Sequence, residues 1–150
     1  MDSTESEARI FDDASHHYGG NWPPGLPRSQ AYVHTGLFLG WIVGAGLCSE
    51  RFSTDHAADL KTFRSGGISG PALFERIGGI LSSDMLSDEG AAFASEYFDL
   101  EQGAYLDDYG HLLADRQPTA YHVPDTAESA RRISERIDLR YAQWKQDRTQ

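Results

Sequence analysis

The sequence predicts an all-α fold: a single compact domain of five to six helices, with an irregular aromatic N-terminal segment packed on a central apolar helix. Three observations predict it. Apolar residues recur at helical spacing in several windows, most clearly at Ala130, Ile133, Ile137, Tyr141 and Trp144. From Ala31 to Cys48 there is no acid and no Lys or Arg, and His34 is the only side chain that could carry charge near neutral pH, which marks a buried core helix. Between them lie cap and breaker residues at intervals suited to short helices.

Each element follows in turn. Pro23, Pro24, Gly25 and Pro27 exclude regular structure up to Arg28, and Ser29 then offers a helix start. In the apolar run, Gly36, Gly40 and Gly44 recur every four residues, a stripe that lets another element approach closely. The wholly apolar part, Gly36 to Cys48, is too short to span a bilayer, which needs about 20 residues. Ser53 or Thr54 caps a second helix reaching Arg64, ended by Ser65-Gly66-Gly67. Ser69-Gly70-Pro71 opens a third helix, with Leu73, Phe74, Ile77 and Ile80 on its apolar side, and Gly78-Gly79 closes it. Ser87-Asp88-Glu89 opens a fourth with Phe93 and Tyr97 inward, its acids well placed for the N-terminal dipole. A fifth runs from Ala104 to Ala114 with Leu106, Tyr109, Leu112 and Leu113 inside. Pro118 to Pro124 is extended, and Asp125-Thr126-Ala127-Glu128 reads as a capping box for a last helix reaching about Lys145. The expected organisation is a flexible segment over 1–9, one helical domain over 10–146 and a flexible end over 147–150.

Composition narrows the function classes. The formal net charge is −10, and from Ile77 to Asp115 there are nine acids and no Lys or Arg. Nucleic acid is a poor ligand for such a surface, because phosphate contacts need clusters of Lys and Arg. A basic protein partner suits it better. A lone Cys48 forms no internal disulfide, and the first residues lack the basic and apolar regions of a signal peptide, so a cytoplasmic protein is expected.

The segment Asp12-Asp13-Ala14-Ser15-His16-His17 concentrates carboxylates and imidazoles. Neighbouring side chains point apart, so His16 and His17 diverge, and no HExxH or CxxC spacing completes a site. No metal and no cofactor are therefore expected. Asp13 reads as the cap of a short helix, and His34 as a satisfied core or near-surface histidine, with a contact to Asp12 or Asp13 as the alternative. Trp22 reads as a cap over the core, and Tyr121-His122-Val123-Pro124 as a second irregular aromatic segment packed beside the first. Cys48 reads as packing, since reactive thiols need an electropositive, exposed setting. The acids form no calcium loop of the D-x-[DN]-x-[DN]-G kind.

Phe11-Asp12-Asp13-Ala14-Ser15-His16-His17-Tyr18-Gly19-Gly20-Asn21-Trp22-Pro23 resembles the opening of a family of small acidic bacterial proteins of unknown function, whose members read YDDASWHYGGDFP. His34-Thr35-Gly36-Leu37-Phe38-Leu39-Gly40-Trp41 is similar to that family's HIGMFLAW, and Tyr121-His122-Val123-Pro124-Asp125-Thr126 to its YHVEDT. The chain departs from it at His16, where Trp is usual, and at Asn21, where Asp is frequent. Proteins of this size and charge resemble the immunity proteins of toxin systems, an analogy of kind and not of site.

The function expected is thus a non-enzymatic protein-binding module, a bacterial immunity protein that neutralises a cognate toxin or other basic protein through an acidic surface. Asp84, Asp88, Glu89, Asp99, Glu101, Asp107 and Asp108 are the expected contacts, with Trp22 as an aromatic anchor. The alternative is a small metal-dependent hydrolase built on Asp12, Asp13, His16 and His34.

Overall fold

In chain order the elements of the computed structural model, which describes residues 8–18 and 22–149, are β1 (Ile10–Asp13), α1 (Val33–Gly44), α2 (Glu50–Asp55), α3 (Ala57–Arg64), α4 (Gly70–Arg76), β2 (Ile80–Ser82), α5 (Asp88–Tyr97), α6 (Tyr105–Tyr109) and α7 (Ala127–Arg148). Helices dominate, as the apolar spacing requires, and among the described residues the one sheet is the antiparallel pair β1–β2. The helix starts are chemical. Ser49, Ser69, Ser87 and Thr126 each accept a backbone N–H of the first turn, and Pro71 sits just inside α4.

α1 is the axis of the domain. Every residue from Val33 to Val43 except Gly40 is buried, so the helix carries no polar face. The aromatic core gathers around Phe38, whose ring stacks 4.5 Å from Phe98 and meets Tyr105 edge-on at 5.4 Å. α7 closes one side with Ile133, Ile137 and Trp144 buried and Ala130 and Tyr141 half-buried, the stripe read from the sequence.

The glycine stripe works at only one end. A Cβ on Gly36 would lie 2.3 Å from Pro71 Cα, and one on Gly70 would lie 2.3 Å from the Gly36 carbonyl oxygen. α1 and α4 therefore touch backbone to backbone. Gly40 faces the Phe63 ring, and Gly44 has nothing within 4 Å.

Several boundaries differ from expectation for local reasons. The second helix begins at Ser49 and breaks at His56, whose φ of −119° and ψ of 29° are not helical, so Ser53 and Thr54 are interior positions. The fifth helix widens along its length, α6 passing into a π-turn over Gly110–Ala114, and Leu106 is exposed where Tyr105 is buried. Thr126, not Asp125, caps α7, and that helix runs through Arg148. Ile80 leaves the third helix entirely and enters β2, because Gly78 and Gly79 take φ of 109° and 73° and reverse the chain. Most of the expected flexible segment 1–9 lies outside the described residues, as does the Gly19-Gly20 turn. Arg9 is firmly placed. Its backbone N–H donates to Ser83 Oγ at 2.9 Å, and its guanidinium reaches Asp99 at 2.6 Å.

Among the described residues, no helix is long and apolar enough to cross a membrane. The Cys48 thiol is half-buried, and burial, partly offset by Arg64, pushes its pKa up to about 11. That is the state of a packed, unreactive thiol.

Candidate functional site

The three segments that carry the family resemblance meet in one place. β1 brings Asp12, the short 3-10 turn after it brings His17, the first turn of α1 brings His34 and Thr35, and the turn at Ala120–His122 brings Tyr121. A bulge in β1 makes this possible. The register pairs Ile10 with Ser82 but Asp12 with Leu81, so Phe11 and Asp12 both face inward. Without the bulge, strand alternation would send one of them to solvent.

Asp12 is the hub, 6% exposed. Its Oδ1 lies 2.8 Å from His17 Nε2, and its Oδ2 accepts from Thr35 Oγ1 at 2.5 Å and lies 3.5 Å from His34 Nε2. His17 Nδ1 is 2.9 Å from the Tyr121 hydroxyl, and the His17 and His34 rings cross edge-on at 4.8 Å. Trp22 covers the group. Its ring packs 4.7 Å from Tyr121, and its indole N–H donates to the Leu26 carbonyl at 3.0 Å. Gln30 fixes the far segment by donating to the carbonyls of Tyr121 and Val123. Burial pushes the Asp12 carboxyl upward, but His17, the nearby His34 and Thr35 outweigh it and hold the group well below the usual carboxylate range. Asp12 is ionised at neutral pH.

The sequence expectations sort cleanly against this geometry. His16 and His17 do diverge: the His16 side chain is 77% exposed and sits 3.7 Å from Asp13, while His17 turns inward. Asp13 caps its turn, accepting from Ser15 N–H and Oγ–H. The set Asp12, Asp13, His16 and His34 is therefore split. Asp12 and His34 meet, Asp13 and His16 pair elsewhere, and His17 is the residue that joins the buried cluster. Adjacency argued against the histidine pair, yet only one of the two needs to face inward, and a strand-then-turn spacing of five residues delivers it.

The acidic residues are also sorted by the fold. Asp108 is 2% exposed, which removes it from any docking surface. Its Oδ1 accepts from Arg136 at 3.1 Å and from Arg140 at 2.8 Å, and its Oδ2 accepts from Arg140 Nε at 2.9 Å and from the Tyr97 hydroxyl at 2.7 Å. Burial raises the Asp108 carboxyl, but Arg140, Tyr97 and Arg136 lower it further, so its pKa ends below the ordinary value. Asp99 is half-buried and tied to Arg9, and the exposed Glu89 accepts a short hydrogen bond from the Tyr141 hydroxyl. Asp84 accepts from Ser82 Oγ, and Asp88, Glu101 and Asp107 are exposed. Trp22 is half-buried, packed on Tyr121 as a cover over the cluster.

The sign of the pH dependence follows. Asp12 and Asp108 both have folded pKa values below their unfolded ones, so their stabilisation is full above the unfolded carboxylate pKa of about 4 and is lost as pH falls below it. The urea midpoint is expected to drop steeply below about pH 4. Asp12→Asn should show a shallower drop; an unchanged slope would mean that Asp12 is not coupled to folding.

No curated protein and no solved structure matches the chain. The model of the family described as a domain of unknown function, DUF7832, matches residues 10–123, a stretch that contains Asp12, His17, His34 and Tyr121 and stops short of α7. By that match, over well more than half its length, the chain belongs to the DUF7832 family.

Proposed function

We propose that this chain is a non-enzymatic protein-binding module, a bacterial immunity protein that neutralises a cognate toxin by binding it through an acidic surface. One observation carries the reading: how the fold spends its basic side chains. Of the nine acids from Ile77 to Asp115, Asp99 receives Arg9, and Asp108 receives Arg136 and Arg140. The remaining seven are all exposed, and among the described residues none of them forms an ion pair.

A surface of this kind repels itself in the free protein, and a basic partner relieves that repulsion. Complementary charge also steers encounter, raising association rates well above the roughly 10⁵–10⁶ M⁻¹s⁻¹ of neutral pairs. Charge supplies rate more than affinity, so an apolar contact is needed as well. Trp22, half-buried, is one such anchor, and Leu106, exposed directly beside Asp107 on α6, is a second.

The test is affinity capture of a toxin partner from the source organism, followed by co-expression of the two proteins. The wild-type chain should rescue growth, and the triple charge reversal Asp84→Lys, Asp88→Lys, Asp107→Lys should abolish rescue while keeping the helical circular dichroism spectrum. Absence of rescue by the wild type, or full rescue by the triple variant, contradicts the proposal.

A further inference from the structure

We infer that Asp12, His17 and His34 form a binding site for one divalent transition-metal ion of the zinc or cobalt class. The inference is independent of the acidic surface and reverses the expectation, drawn from spacing alone, that no metal is held.

The geometry is the first support. One ligand atom from each of the three residues lies within 4.8 Å of the other two. Ligand bonds of about 2.0–2.1 Å in a tetrahedral site set neighbouring ligand atoms roughly 3.3 Å apart. The separations of His17 Nε2 from Asp12 Oδ1, 2.8 Å, and of His34 Nε2 from Asp12 Oδ2, 3.5 Å, fall on either side of that spacing, each measured to a different oxygen of the carboxylate. For His34 the contrast is telling. Its Nε2 stands beyond ordinary hydrogen-bond length from Asp12 Oδ2, an oxygen that already accepts the Thr35 hydroxyl at 2.5 Å. A position too long for a good hydrogen bond is the right length for two ligands of one ion.

Charge is the second support. Buried charges are paired or coordinate metals. The Asp12 carboxylate is buried, and among the described residues neither Lys nor Arg pairs with it; imidazoles and a hydroxyl surround it. A divalent cation supplies a permanent positive charge that neither Lys nor Arg provides here. Two imidazoles and one carboxylate favour zinc, cobalt or nickel over the oxygen-seeking calcium and magnesium.

The surroundings fit a held ion. With His17 Nε2 on the metal, its Nδ1–H donates to the Tyr121 hydroxyl at 2.9 Å, the outer hydrogen bond that fixes the tautomer of a ligating histidine. Thr35 does the same for the carboxylate. Tyr121 and Thr35 are thus positioning residues. A cleft of about 450 Å³, lined by Arg9, Phe11, Asp13 and His16, lies beside the cluster and touches Asp12 but neither His17 nor His34.

The test is titration of the chelator-stripped full chain with zinc chloride, followed by calorimetry and by ¹⁵N-detected imidazole resonances. The expected result is one ion per chain, with His17 and His34 shifting together and saturating at one equivalent, while His16, His56, His111 and His122 stay in place. His17→Ala should weaken binding at least about 100-fold, Tyr121→Phe about 10- to 100-fold, and His16→Ala not at all. Absence of saturable binding, which would leave a metal-free imidazole–carboxylate pair, overturns the proposal. So do shifts confined to other histidines, or undiminished binding by His17→Ala. Should His17→Ala fail to fold, the wild-type resonances decide the matter.

Discussion

Gly36→Ala is expected to destabilise the fold by about 3 kcal/mol or more. The reason is geometric. The new Cβ would sit 2.3 Å from Pro71 Cα, and a backbone atom in a buried helix cannot swing aside as a side chain can. Relief requires α4 to move away from α1, which opens the contact that seats Leu73 and Phe74 in the core. Gly70→Ala should cost a similar amount, because its Cβ meets the Gly36 carbonyl. Gly44→Ala is the control. It has open space around it, and replacing a helical glycine by alanine stabilises by about 0.5–1 kcal/mol. Urea unfolding of the three variants checks this directly. Equal midpoints for Gly36→Ala and Gly44→Ala would refute the backbone contact.

Asp108→Ala is expected to cost about 3 kcal/mol, the lower end of the range for breaking a buried ion pair. The variant strands the Tyr97 hydroxyl, which is buried and has Asp108 as its acceptor. It also releases two guanidiniums. These are partly exposed and can turn to water, which is why the upper end of the range does not apply. Arg136→Ala, which removes one of three guanidinium bonds, should cost about 1 kcal/mol. A double-mutant cycle between Asp108 and Arg140 should show coupling of at least about 1 kcal/mol. Additive costs would mean that the bidentate contact contributes nothing to folding.

Asp108 also shows what a sequence conceals. It sits in an acidic run beside Asp107, and nothing local separates the two. Tertiary structure does, by setting Asp108 against α7 and its arginines while Asp107 stays in solvent. Helix identities were legible, since caps such as Ser69 and Ser87 and stripes such as Ile133 and Ile137 act locally. The β1–β2 pair was not. Its partners are about 70 residues apart, and the bulge at Phe11 breaks the alternation that would announce a strand. The buried cluster was legible in part. Asp12 and His34 stood out by chemistry, and the packing of Tyr121 beside the N-terminal segment followed from having two aromatic irregular stretches to bury. His17 was masked by its neighbour. Which of two adjacent histidines turns inward depends on the register of a strand, and register is a property of the partner as well as of the segment.

The central claim is that the uncompensated acids of the 77–115 stretch steer a basic protein onto this fold. The most direct measurement is the association rate of the purified chain with the toxin partner so captured as ionic strength rises from about 0.05 to 0.5 M, where the screening length falls from about 14 to 4 Å. The account predicts a steep decrease for the wild type and a much flatter dependence for Asp84→Lys, Asp88→Lys, Asp107→Lys. A wild-type rate that does not change with salt would contradict it.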